Sequence, residues 1–173
     1  MEKVNIIVGR FQPFTLGHLN CIKSVYNETG IRSIILVINS KIDEKHPFNK
    51  ELITKMLKSI ILTHKHCCAD FLFINNADIV LNAELLRKNG YEPISWVCGT
   101  DRFQSYNNMV IKYLNKANLT TNFKVFCVNR YIDLISATSV RNALKMGNNE
   151  VFINNTPQCI HYLYTELKKC LIM

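Results

Sequence analysis

The residue types able to do chemistry in this chain of 173 residues gather in four stretches. GRFQPFTLGH, residues 9–18, holds Gly9, Arg10, Phe11, Phe14, Thr15, Gly17 and His18. ISATSVRNAL, residues 135–144, holds Ser136, Thr138, Ser139 and Arg141. GTDR supplies Gly99, Thr100, Asp101 and Arg102, and residues 39–49 supply Lys41 and Lys45. Gly9 lets backbone approach a ligand, and Pro13 stiffens the turn that follows. A helix starting near Gly17 would aim free amides and its positive dipole end at an anion. His18 can donate a ring N–H to a phosphate oxygen, and Thr15 a hydroxyl. In the later stretch, hydroxyls of N-cap type precede a guanidinium in the first helical turn, a second set of donors suited to phosphate. Taken singly, His18 also reads as a satisfied, half-buried histidine, and residues 136–141 as an ordinary capped surface helix.

Hydrophobic periodicity shows which elements must position these groups. Apolar, β-branched runs at 4–8, 33–38, 71–74, 94–98 and 123–128 read as buried strands. Helical spacing fills 19–27, 49–63, 83–88, 104–115, 139–146 and 157–171. Strands alternating with helices predict right-handed crossovers, hence an α/β, Rossmann-like doubly wound parallel sheet with helices on both faces. Ligands of such sheets sit outside the carboxyl ends of the strands, where the strand order reverses. Residues 9–18, 39–49, 99–102 and the segment from Arg130 through Ser136 to Arg141 all follow strands, so one rim should collect them. His18, Asp101 and Arg141 are expected to face one cleft there. The length predicts a single domain over residues 1–173.

Composition narrows the class. Hydrophobic residues make up 48% and charged residues 20%, which excludes a disordered chain. Seven cysteines without C-x-x-C spacing argue against a disulfide framework and suit a reducing cytosol. No apolar run reaches membrane-spanning length, and Met1-Glu2-Lys3 leads straight into a strand, so a cytoplasmic protein without membrane contact is expected. The net charge of +8 favours an anionic partner. That partner is either nucleic acid or a phosphorylated small molecule; the lysines are scattered, with no basic block to form a nucleic-acid arm, and a solvated basic surface is the other reading. His64 and Cys68 stand four apart but lack a second ligand pair, so no metal site is assigned. A P-loop, a G-x-G-x-x-G fingerprint and a G-x-S-x-G elbow are all absent from the sequence.

GRFQPFTLGH resembles the first signature of the HxGH/TxGH nucleotidylyltransferase superfamily, and ISATSVR resembles its second, ISSTxxR, about 120 residues later. GRFQPF is most similar to the opening of the nicotinamide mononucleotide adenylyltransferases. GTDR resembles their G-x-D-R segment, and HPFNKELITKML at 46–57 resembles their NPF-x-x-x-x-R-x-x-M stretch. Four positions depart from the pattern. Thr15 replaces the first histidine, as in the pantetheine-phosphate branch. The NPF-like stretch carries Lys50 and Lys55 in place of its arginine, and Ala137 replaces one serine.

The resemblance implies the nucleotidylyltransferase fold and transfer of the AMP moiety of ATP to a phosphorylated acceptor, with release of pyrophosphate. Nicotinamide mononucleotide is the leading acceptor and NAD the product. The alternatives are a pantetheine-phosphate adenylyltransferase, a CTP-dependent cytidylyltransferase, or a nucleotide-binding module without turnover. It further implies backbone contacts to triphosphate at Gly9, Arg10, Phe11 and Gly17, and Thr15 and His18 at the α and β oxygens. Ser136, Thr138 and Arg141 would hold the leaving pyrophosphate, Gly99 and Asp101 the ribose, and Arg102 phosphate. The alternative for Asp101 is an N-cap for the helix that follows. Lys41 and Lys45 are candidates for a loop cation, and Phe14 and Trp96 for stacking on a ring, with core packing as the alternative for Trp96. Mg²⁺ is implied as a passenger on the ATP phosphates rather than in a protein cage. A homo-oligomer stays open.

Overall fold

The computed structural model describes residues 1–129 and 136–172, so Arg130 and Ile135 of the expected rim lie outside the described residues. Its contacts fall into two compact units that interleave along the chain. The first comprises Met1–Gly9, Cys21–Ile38 and His66–Arg130; the second comprises Arg10–Asn20, Asn39–Lys65 and Tyr131–Met173.

The first unit contains the sheet. Strands β1 (Glu2–Gly9), β2 (Ser33–Ile38), β3 (Cys68–Ile74), β4 (Tyr91–Gly99) and β5 (Lys124–Val128) lie in the order β3-β2-β1-β4-β5, and every neighbouring pair is parallel. The doubly wound α/β expectation holds. The order reverses between β1 and β4, so the chain leaves the sheet at Gly9 and Gly99 on either side of the switch point. Ile6, Ile34, Leu36, Trp96 and Val125 form one core with Ala83, Leu86 and Val110. These last three come from α3 (Ile79–Lys88) and α4 (Thr100–Tyr113).

Several ends differ from the sequence reading for physical reasons. β4 begins at Tyr91 rather than 94 and includes Pro93. β5 pairs with it only from Ser95, so the proline lies where one side of the strand has no ladder. α3 begins at Ile79 because the Asp78 carboxylate accepts from the N–H groups of Val80 and Leu81 at 2.9 and 3.2 Å. Gly90 takes a φ of +86° between α3 and β4, a left-handed turn that glycine makes without strain.

The second unit is helical. It holds α2 (Lys50–Thr63), α5 (Ala137–Lys145), α6 (Asn149–Asn155), a 3₁₀ turn at Gln158–Leu163 and α7 (Tyr164–Ile172). Asn49 caps α2 by accepting from the Leu52 N–H, and its buried face carries Leu52, Ile53, Met56, Leu57 and Ile60. Helix α6 is not expected from its polar sequence, NEVFINN; it is capped by Asn148 and anchored by the buried Phe152. The expected single helix over 157–171 is a 3₁₀ turn followed by α7. The first helix in chain order, α1 (Leu16–Thr29), directly continues residues 9–15. Among the described residues no helix is long and apolar enough to cross a membrane.

Candidate functional site

Residues 10–18 form a tight turn into α1. Phe11 sits at φ +54°, a left-handed conformation a bulky side chain rarely takes, and the Gln12–Pro13 peptide bond is cis. The Phe14 N–H donates to Met56 Sδ of α2 at 3.4 Å, which fastens the turn to the HPFNKELITKML stretch. Phe11 and Phe14 stack with ring centres 5.5 Å apart, and both pack on the His18 imidazole at 4.9 and 5.2 Å.

That packing orients His18. The Thr15 backbone N–H donates to His18 Nδ1 at 3.0 Å, and Thr15 Oγ1 lies 3.2 Å from the same nitrogen. A backbone N–H can only donate, so Nδ1 keeps its lone pair and the proton of the neutral ring sits on Nε2. His18 is half-buried and offers a donor of defined tautomer. Thr15 is 2% exposed, and its hydroxyl faces His18. This corrects the expectation of a hydroxyl open to triphosphate: here Thr15 props the imidazole.

Arg141 projects from the start of the second turn of α5, one turn further along than the sequence suggests because the helix begins at Ala137. Ser136 caps that helix, accepting from the Ser139 N–H at 3.0 Å in a capping box. The guanidinium donates from Nη1 to the main-chain carbonyl of Gln12 at 2.6 Å and from Nη2 to Thr138 Oγ1 at 3.2 Å. Burial pushes Arg141 below its usual pKa, while Asp43 acts in the opposite direction. An arginine this basic stays charged. The turn and the ISATSVR stretch therefore meet through one guanidinium.

Residues 39–49 carry exposed Lys41 and Lys45. Between them the Asp43 carboxylate accepts the His46 N–H at 2.7 Å and lies 3.0 Å from His46 Nδ1. Glu44 pairs with Lys145 of α5 at 3.7 Å. Arg10 Nη1 donates to the Ser40 hydroxyl at 2.7 Å. At the far end of the loop, the Gln12 side-chain amide donates to the Phe48 carbonyl at 3.1 Å and accepts the Phe48 N–H at 3.0 Å. Sequence reasoning passed over Gln12, since an amide is neither acid, base nor nucleophile. A glutamine inside FQPF should nonetheless raise the question of its partners, because buried polar groups are hydrogen-bonded.

The remaining candidates lie in the first unit. Gly99 is the N-cap of α4 and makes no side-chain cap bond, so the N-cap alternative for Asp101 is overturned. Asp101 instead occupies the exposed first turn, where a carboxylate complements the helix dipole, beside exposed Arg102. Trp96 is 1% exposed and stacks on Tyr106 at 3.9 Å, and Phe14 of the second unit is fully buried. Both rings pack in the interior, which for Trp96 is the core reading and for Phe14 corrects the expectation that it stacks on a ligand. Among the described residues no group of three or more His, Cys, Asp or Glu side chains is disposed to hold a metal.

No curated protein matches the chain in sequence. Solved structures share its fold. A candidate nicotinate-nucleotide adenylyltransferase from Vibrio parahaemolyticus superimposes with a TM-score of 0.66 at 16% identity, covering 100% of this chain and 98% of that one. Plasmodium falciparum nicotinic acid mononucleotide adenylyltransferase, complexed with NaAD, gives 0.64 at 16% identity and 96% of both chains. Thermotoga maritima TmcAL bound with alpha-thio ATP gives 0.62 at 11%, covering 96% of this chain and 56% of that one. Residues 6–155 match the family described as cytidylyltransferase-like, a span that holds both the turn at 9–18 and Arg141. With that match over most of its length, the chain belongs to the cytidylyltransferase-like family of nucleotidylyltransferases.

Proposed function

We propose that the chain transfers the AMP moiety of ATP to the phosphate of a pyridine mononucleotide, nicotinamide mononucleotide first, and releases pyrophosphate. The observation that carries this reading is the Arg141–Gln12 bond, which joins the two sequence stretches that resemble the superfamily's signatures. An oxygen of the acceptor phosphate attacks the α-phosphorus. A new P–O bond forms there, the bond from the α-phosphorus to its bridging oxygen breaks, and that electron pair leaves on pyrophosphate. The protein needs no nucleophile for such a step; it positions the groups and stabilises the charge that moves between them.

His18 would donate from Nε2 to a phosphate oxygen, held in that tautomer by Thr15. Arg141, Thr138 and the Ser136 end of α5 would take the leaving pyrophosphate. Arg10, Lys41 and Lys45 add positive charge from the turn and the 39–49 loop. The roles of Gly9, Gly17, Gly99, Asp101 and Arg102 toward ATP rest on the resemblance. Mg²⁺ would arrive on the ATP phosphates, and the donors present fit a phosphate-bound ion better than a protein-caged one. It would neutralise phosphate charge when bound. A cytoplasmic location accords with this chemistry.

Pyrophosphate release measured with ATP and with CTP, across nicotinamide mononucleotide, nicotinic acid mononucleotide and 4′-phosphopantetheine, tests the reading. The fastest turnover is expected with ATP and nicotinamide mononucleotide. Preference for nicotinic acid mononucleotide would move the acceptor to that of the Plasmodium relative, preference for phosphopantetheine or CTP would move it to another branch, and nucleotide binding without release would leave a binding module.

A further inference from the structure

We propose that Gln12 is a positioning residue that sets the pyrophosphate-binding geometry of Arg141, an inference that rests on the function proposed above. Gln12 is only 6% exposed, and both of its polar ends are committed. Its side-chain amide closes a two-bond clamp on the backbone of Phe48, 36 residues away, at 3.1 and 3.0 Å. Its main-chain carbonyl receives Arg141 Nη1 at 2.6 Å. The clamp immobilises the peptide whose carbonyl orients the guanidinium. It also fixes the end of the 39–49 loop, whose Asp43 acts electrostatically on Arg141.

The guanidinium has five N–H donors in a rigid fork. With one Nη1 donor on Gln12 and one Nη2 donor on Thr138, the plane of the fork is set, and with it the direction of the other donors. A carbonyl that shifts changes that direction without removing any charge. Misplacement of about 1 Å in such a contact can cost on the order of 10²-fold in rate. Gln12 therefore acts through Arg141 and touches no substrate.

The test compares wild type, Gln12→Met, Arg141→Lys and the double variant for affinity toward inorganic pyrophosphate by calorimetry, with folding followed by thermal melting. Gln12→Met preserves the length of the side chain and removes both clamp bonds. It should bind pyrophosphate on the order of tenfold more weakly while folded. In the Arg141→Lys background the same change should cost less than about threefold, because the group it positions is gone. Unchanged affinity in Gln12→Met, or losses that multiply in the double variant, would overturn the inference. If Gln12→Met does not fold, Gln12→Asn, too short to span both clamp bonds, takes its place in the same comparison. Wild type that binds pyrophosphate yet transfers no nucleotide would sink the proposed function and leave the positioning role standing on the binding data; wild type that binds no pyrophosphate would sink both.

Discussion

The Arg141 guanidinium and the main-chain carbonyl of Gln12 meet at 2.6 Å across a separation of 129 residues. The contact draws the last signature stretch onto the first. It uses a donor that a lysine could supply only by giving up another contact, since an ammonium is a point charge without a planar fork. Arg141→Lys should therefore lose on the order of 10²-fold in turnover although its charge is kept. Steady-state kinetics on the folded variant checks this, and wild-type turnover would return Arg141 to a structural contact.

ATP binding should stabilise the fold. A ligand that binds only the native state adds RT ln(1 + [L]/Kd), about 2.7 kcal/mol at a hundredfold excess over Kd. Thermal melting with ATP and Mg²⁺ should show a rise that grows with concentration. No shift with ATP, alongside tight binding of RNA, would favour a nucleic-acid partner for the +8 charge.

Much of this arrangement is legible in the sequence because strands and helices alternate with different periods. All five strands and the parallel sheet follow from β-branched runs such as SIILVI, whose first five residues are buried in β2. Short polar elements are not legible in this way: α6 has only Phe152 to bury, and its cap, Asn148, is one of several asparagines nearby. At the candidate site, Arg141, His18 and Thr15 are singled out by residue type and by the resemblance of their stretches. Their contacts are not, because the partner of Arg141 is a main-chain carbonyl and that of Gln12 is the Phe48 backbone. Side-chain identity carries no record of either.

A buried polar relay in the first unit gives a prediction on stability alone. Asn5 on β1 is fully buried. It accepts the Ser95 hydroxyl from β4 at 2.6 Å and donates to the Ile31 carbonyl at 2.7 Å and to Thr29 Oγ1 at 3.3 Å. Asn5→Leu would leave three partners without these bonds, the buried Ser95 hydroxyl and the half-buried Ile31 carbonyl and Thr29 hydroxyl, at about 1–3 kcal/mol for a group left unsatisfied away from water. Urea unfolding should show a loss of about 3 kcal/mol, with turnover per folded molecule unchanged. A loss under about 0.5 kcal/mol would mean the apolar replacement offsets the missing bonds.

Arg87 and Glu92 give a pH prediction. Arg87 donates from Nε and Nη2 to the Glu92 carboxylate at 2.9 and 3.0 Å, and also donates to the carbonyls of Ala117 and Asn118. The hydrogen bonds from Arg87 hold the Glu92 carboxyl below its usual value of 4.5, against an opposing effect of burial. A depressed carboxyl contributes stability that is complete above the unfolded pKa and is lost as pH falls through the folded one. The gap in stability between wild type and Glu92→Gln should therefore be constant near neutrality and close as the pH drops below about 4.5. A gap that does not change with pH would mean the pair acts through packing.

The contrast between His18 and Thr15 tests the division of labour in the turn. His18 would meet phosphate through Nε2, whereas Thr15 would act on the chemistry through His18 Nδ1, which its N–H and hydroxyl face. By analogy with losing one preorganised donor, His18→Ala should cost about 3 kcal/mol in turnover. Thr15→Val leaves the backbone N–H that fixes the tautomer and removes only the hydroxyl, so it should cost about 1–2 kcal/mol. The two effects should also be coupled: Thr15→Val made in the His18→Ala background should cost little more, since the ring it props is absent. Kinetics on the three variants, with folding checked by melting, decides it. A Thr15 defect that equals or exceeds that of His18, or persists at full size without the imidazole, would give Thr15 a contact of its own with the phosphates.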